Sequence, residues 1–188
     1  ATAYIILADG FETIEALTPL DVLRRCGVEV TTISLNKTRS VRSSHGVTVE
    51  ADATMEDFMH NCNCCASGTG TGTNSSIAGT SSSASSASGS TNTTNAGSST
   101  TASSAVRQAL ILPGGYPGYK NLCESAEVGA LITQFHKEGK LLCAICGAPT
   151  ALKANQICRG AAITCHTSVK EEISDYYSIL SSAVVKYM

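Results

Sequence analysis

Cys146 lies in the stretch Lys140-Leu-Leu-Cys-Ala-Ile-Cys-Gly-Ala-Pro149, where an apolar run breaks and a helical pattern starts. Leu141 to Ile145 has the composition of a parallel strand buried on both faces. Ala148 to Ala154 reads as a helix, and Pro149 suits its first turn, where no amide donor is needed. A strand, a one-residue corner and a helix, with a nucleophile on the corner, form a nucleophile elbow. Here Cys replaces Ser, and the leading glycine of the G-x-S-x-G form is absent. A thiol at a helix N-terminus has unpaired amides and the helix dipole to favour its anion. The competing reading is one more buried cysteine, since free Cys is among the most buried residue types. A dithiol of Cys143 and Cys146 is disfavoured, because Cys143 falls inside the strand whereas a redox Cys-x-x-Cys opens a helix.

The rest of the chain supplies neighbours for that thiol. Ala109 to Leu112 reads as a strand ending in Pro113-Gly114-Gly115, whose glycines allow a sharp turn or a close approach to a ligand. A plain turn explains them equally well. Ala161 to Cys165 predicts a strand that ends at His166, and a lone histidine there is often structural. Glu15 follows the first strand, Tyr4 to Leu7, by a few residues; by itself it is a solvated residue of a helix's first turn. Thr18-Pro19 has the form of a helix start, with Gly27 as the stop. Further on come a strand over Val28 to Leu35, a hairpin over Val41 to Ala51 and a brief helix over Thr54 to Met59. Ser125 caps a helix whose apolar face is Val128, Leu131, Ile132 and Phe135. A short helix over Ser168 to Ile173 and a strand beginning at Ala183 to Tyr187 close the pattern. Alternating strands and helices imply a parallel sheet covered on both faces, with ligands beyond the carboxyl ends of the strands. Gly114-Gly115, Cys146 and His166 all fall at such ends.

The 188 residues suffice for a single domain over 1–188. A net charge of −2, with 15% charged residues and no basic stripe, argues against nucleic acid. No apolar run approaches a membrane span. The opening residues lack a basic n-region and read as a strand, not a signal peptide. Nine cysteines, an odd number at irregular spacing, suggest reduced thiols in a cytoplasmic protein. The sequons at Asn36, Asn74 and Asn92 therefore carry little weight. Residues 66–104 are almost wholly Ser, Thr, Gly, Ala and Asn, with Ile77 the one large apolar side chain. Such a tract cannot bury enough surface to offset its ordering entropy, so a flexible insertion is expected. His60, Cys62, Cys64 and Cys65 match no standard zinc spacing, and no metal or other cofactor is expected.

Five stretches occur in a recognisable order: Ala8-Asp-Gly-Phe-Glu-Thr-Ile-Glu15, Pro19-Leu-Asp-Val-Leu-Arg-Arg25, Leu110-Ile-Leu-Pro-Gly-Gly115, Ala144-Ile-Cys-Gly-Ala-Pro149 and Ile163-Thr-Cys-His166. Together they resemble the DJ/ThiJ/PfpI superfamily, in its deglycase and ThiJ-like branch. The resemblance implies a flavodoxin-like α/β three-layer sandwich with a mostly parallel sheet, and a homodimer. It implies Cys146 as nucleophile and Glu15 as a protonated acid donating to the thiolate. Ionising that acid would set two anions side by side. Gly115 and Gly147 would offer backbone amides to an oxyanion, Gly114 would line the substrate pocket, and His166 would be the active-site histidine. The family context would start the first helix earlier than Thr18, near Glu12. Arg24 and Arg25 fall at dimer-contact positions, though alone they read as a solvated helix end. Thr167 stands where the family often has Pro. The glycine turn, core strand, loop and final helix that relatives place after Val184-Val185 are missing. Peptidase activity is discounted, because Gly147 stands where peptidase members have His. The implied activity is that of a cofactor-free, glutathione-independent glyoxalase or deglycase. Its substrate would be a small aldehyde such as methylglyoxal, or early glyoxal adducts. The alternative is a redox sensor or chaperone whose Cys146 is oxidised to sulfinic acid.

Overall fold

The computed structural model describes residues 1–61 and 107–186. The insertion expected over 66–104 and the cysteines at 62, 64 and 65 lie outside the described residues. Five strands form a wholly parallel sheet in the order β5 (Ala53–Thr54), β2 (Glu29–Ser34), β1 (Thr2–Leu7), β6 (Gln108–Leu112) and β7 (Leu141–Ala144). Strand β1 lies at the centre because its apolar residues serve both faces. Ile6 joins one core with Ile33, Leu110 and Leu112, while Ile5 and Leu7 join the other with Val30. This is the two-residue alternation of a strand.

Helix α1 (Thr13–Arg25) covers the second face through Ala16, Leu20 and Leu23, beside the antiparallel hairpin of β3 (Ser40–Arg42) and β4 (Thr48–Glu50). The first face carries α2 (Met55–Asn61), α3 (Gly118–Glu124), α4 (Ala126–Lys137) and α5 (Pro149–Ala154). Ser125 caps α4 by accepting from the Val128 amide at 3.2 Å, and Val128, Leu131, Ile132 and Phe135 are buried as their spacing requires. Each such side chain contributes about 1.5–3 kcal/mol on full burial.

Three expectations need correction. Helix α1 starts at Thr13 with Glu12 as its cap, where the family context places it, and the local Thr18-Pro19 signal lies inside it. The Glu12 carboxylate accepts from the Glu15 amide at 2.7 Å and caps the helix a turn and a half earlier than the Thr-Pro pair suggests. The strand after α5 is only β8 (Ala162–Ile163), and it lies outside the main sheet. It pairs in parallel with β9 (Ser178–Ile179) over a small core of Ala161, Ile173 and Tyr177. Ala183–Lys186 form no strand; β9 is the late strand instead. Helix α6 (Lys170–Ile173), preceded by a 3-10 turn over Thr167–Val169, supplies the expected short helix. Among the described residues β7 is hydrogen-bonded to β6 alone, and Leu141 and Ile145 are 55% and 47% exposed.

Candidate functional site

The carboxyl ends of β1, β6 and β7 converge on one sulfur. Strand β7 delivers Cys146 in a left-handed conformation, with φ of 62°, which costs a non-glycine residue roughly 1–2 kcal/mol. Hydrogen bonds on both sides hold it there. Ile145 N donates to Leu112 O at 3.2 Å, Ala148 N to Ile145 O at 3.0 Å and His166 N to Cys146 O at 2.9 Å. The Thr150 hydroxyl donates to Gly147 O at 2.8 Å. The sharp turn between β7 and α5 expected for an elbow is present, and the side chain of Cys146 remains half-buried.

Glu15 reaches the same point from the first turn of α1. Its Oε2 accepts from the Gly114 amide at 2.9 Å, and its charge acts on the Cys146 thiol across that glycine. Gly114 forms the floor between the two groups. A Cβ there would meet Cys146 Cβ and Glu15 Oε2 at 2.6 Å each, and Sγ at 3.1 Å. Gly115 adopts φ of 92°, and a Cβ on it would strike Glu12 N at 2.3 Å and Gly10 O at 2.4 Å. That conformation and that crowding require glycine. The amides of Gly115 and Gly147 both act on the Cys146 sulfur in favour of its anion.

Burial pushes the Cys146 thiol above its ordinary range, and the charge of Glu15 adds to the rise. The two glycine amides pull the other way without prevailing. The expectation of a thiol ionised by a helix N-terminus is therefore corrected. Helix α5 is short and begins at Pro149, whereas desolvation and a carboxylate act on the sulfur directly.

His166 is joined to the elbow through its main chain. Its ring is exposed, with Nδ1 accepting from Ser168 N at 3.2 Å and lying 2.8 Å from Ser168 Oγ. The structure thus gathers Glu15, Gly114, Gly115, Cys146 and Gly147, and engages the near nitrogen of His166 elsewhere. Two contributors were not identified from the sequence. Glu12 N donates to Gly114 O at 2.9 Å and fixes the floor, and the Tyr119 ring packs on Gly147. The Glu-x-x-Glu spacing of a self-capped first turn was the available signal for Glu12; nothing in the local pattern marks Tyr119. Cys143 and Cys146 are both free thiols. A cavity of about 300 Å³ lies elsewhere, between α1, β2 and β4, lined by Leu17, Leu20, Arg24, Val49 and Asp52. It contains none of the elbow residues, and the chemistry does not follow it.

The sequence pattern of the DJ-1/PfpI family matches residues 1–187. The chain belongs to the DJ-1/PfpI family. Protein dj-1beta of Drosophila melanogaster is 27% identical over 184 residues, covering 98% of this chain and 75% of that protein. Parkinson disease protein 7 homolog of Danio rerio is 27% identical over 186 residues, covering 98% and 76%. A shorter match, 39% identical over 77 residues, joins 40% of this chain to 40% of the glutathione-independent glyoxalase DJR-1.2 of Caenorhabditis elegans. The crystal structure of Drosophila melanogaster DJ-1beta superposes with a TM-score of 0.72 at 26% identity, covering 99% of this chain and 77% of that one. This DJ-1/PfpI chain therefore has the family's α/β fold, and its relatives extend beyond it by about a quarter of their length. No helix among its described residues is long and apolar enough to cross a membrane.

Proposed function

We propose that this DJ-1/PfpI chain converts small 2-oxoaldehydes such as methylglyoxal to 2-hydroxy acids, with Cys146 as nucleophile and Glu15 as the proton carrier. The observation that supports it is the convergence of the Glu15 carboxyl and the Cys146 thiol on Gly114, where a single Cβ would stand 2.6 Å from Glu15 Oε2 and 3.1 Å from the sulfur. Two groups that close cannot both be anionic at low cost, so an attacking thiolate calls for the proton to sit on Glu15. The reactive tautomer has the proton on Glu15 and the charge on sulfur.

The thiolate attacks the aldehyde carbon, forming a C–S bond, and the carbonyl electron pair becomes an alkoxide. Glu15 delivers its proton to that alkoxide, and the amides of Gly115 and Gly147, beside the sulfur, are the candidate donors to it. The resulting carboxylate removes the C–H proton of the hemithioacetal, giving an enediolate, and returns it to the former ketone carbon, while the hemithioacetal hydroxyl gives its proton to the former ketone oxygen and becomes the thioester carbonyl. This internal redistribution needs no external oxidant and yields a thioester. Water cleaves the thioester, releasing the 2-hydroxy acid and regenerating the thiol. His166 orients the loop through its main chain. The same steps suit the aldehyde-derived carbon of early glyoxal adducts on proteins. The glyoxalase named among the relatives supports the substrate class; a homodimer and a cytoplasmic setting belong to this reading.

A half-exposed sulfur with two amide donors and a carboxyl neighbour also suits a second reading, oxidation of Cys146 to a sulfinic acid held by the same donors. One experiment separates them. Methylglyoxal loss is followed with the parent and with Cys146→Ser, alongside peroxide-dependent mass gain on the Cys146 peptide. Turnover that vanishes in Cys146→Ser supports the enzyme. A parent that gains sulfinate without consuming methylglyoxal sinks it and leaves the sensor.

A further inference from the structure

Gly147 does not need glycine for its backbone, since it is absent from the positive-φ residues. It needs glycine for space. A Cβ there would lie 2.6 Å from Tyr119 Cδ1, 2.7 Å from Cγ and 2.9 Å from Cε1. Because Cγ is the root of the ring, a small tilt cannot clear the clash. Only a χ1 rotation would, and Tyr119 sits near the start of α3, where helical rotamers are restricted. The base of that side chain is fixed as well. Tyr119 N donates to Gly115 O at 2.9 Å, so one residue touches both glycines whose amides point at the Cys146 sulfur. The Tyr116 ring, 6.3 Å away, flanks it.

We infer that Tyr119 is a positioning residue for the elbow: its ring occupies the room left by Gly147 and holds the Gly147 amide on the Cys146 sulfur. The inference rests on the proposed role of that amide. Its readout is the nucleophilicity of the sulfur, which needs no turnover, so it can fail or stand independently of the methylglyoxal reaction. Loss of one anion-stabilising donor costs about 10²–10³ in rate, and a misplaced donor costs less, about tenfold.

The test follows the pH profile of iodoacetamide alkylation at Cys146, read by peptide mass, with methylglyoxal kcat and KM beside it. The variants are Tyr119→Phe, Tyr119→Ala, Gly147→Ala and the double Tyr119→Ala/Gly147→Ala. Tyr119→Phe keeps the parent profile, because the contact is made by ring carbons. Tyr119→Ala alkylates about tenfold more slowly at neutral pH and loses kcat rather than gaining KM. Gly147→Ala is at least as slow, since its methyl drives into the ring. The double variant is no slower than Tyr119→Ala, because the methyl then has room. Should Gly147→Ala melt early, recovery of its melting temperature in the double variant reports the same fit. A Tyr119→Ala profile identical to the parent's overturns the inference. So do single-variant losses that multiply in the double variant.

Discussion

Replacing Gly114 by Ala tests the arrangement of acid, floor and thiol most directly. The added methyl would stand 2.6 Å from both Cys146 Cβ and Glu15 Oε2, where ordinary contact begins at 3.4 Å. The floor cannot easily sink. Gly114 is buried, its amide is held by Glu15 Oε2 at 2.9 Å and its carbonyl by Glu12 N at 2.9 Å. Cys146 is equally constrained by its left-handed φ and the bonds around it. Overpacking at such a point costs roughly 1–3 kcal/mol. For a chain of this size that lowers the melting temperature by roughly 2–4 °C per kcal/mol. The functional loss is larger, because the methyl forces the carboxyl and the sulfur apart. Removing a positioned proton donor lowers rates by about 10²–10⁴. Calorimetry and methylglyoxal consumption read the two effects separately. A Gly114→Ala protein that melts with the parent and keeps kcat/KM within about threefold, a change near 0.7 kcal/mol, refutes the proximity of Glu15 and Cys146.

The parent's Cys146 alkylation should rise only above the ordinary thiol range, because burial and the Glu15 charge hold the thiol up. Glu15→Gln removes the charge but leaves the burial, so the rise moves to lower pH than the parent's, while turnover falls about 10²–10⁴ for want of a proton carrier. His166→Ala should lower kcat/KM by less than about tenfold, less than a direct acid–base group would, because its Nδ1 is engaged with Ser168; steady-state kinetics decide. Burial raises the Asp52 carboxyl, but the Thr32 amide and hydroxyl together with Arg24 outweigh it and hold the group below 3.8. A depressed acid stabilises the fold above its unfolded value and loses that contribution as pH falls through the folded one. Asp52→Asn should therefore cost about 1 kcal/mol at neutral pH, since a half-exposed pair is screened. Urea midpoints of parent and variant should converge below pH 3.8.

The turn from β7 into α5 was legible because its signals are local: an apolar run, a break and Pro149. The partnership of Glu15 with Gly114 was not legible from spacing, since 99 positions separate them and only the order of the parallel strands unites them. The family resemblance set Glu15 beside Cys146 and did not include its bond to the Gly114 amide. Thr18-Pro19 misled for a related reason. It satisfies the local rules for a helix start, but a carboxylate cap at Glu12 does so earlier, and α1 continues through the proline. The thiol's ionisation was misread because a helix-end argument counts amides and omits desolvation. Tyr119 could not be found at all, since its role depends on an atom that Gly147 lacks.

Strand β7 holds Cys146 at its tip but is laced to a neighbour on one side only among the described residues. Its outward amides have no partner within the described sheet, so deuterium should enter alternate positions between Leu141 and Ala144 faster than in β1, which is flanked on both sides. Every excursion of that strand also displaces the sulfur. Whatever chain comes to lie along this margin would therefore stiffen the reactive group without touching it, and the speed of the chemistry would become a measure of how well the margin is occupied.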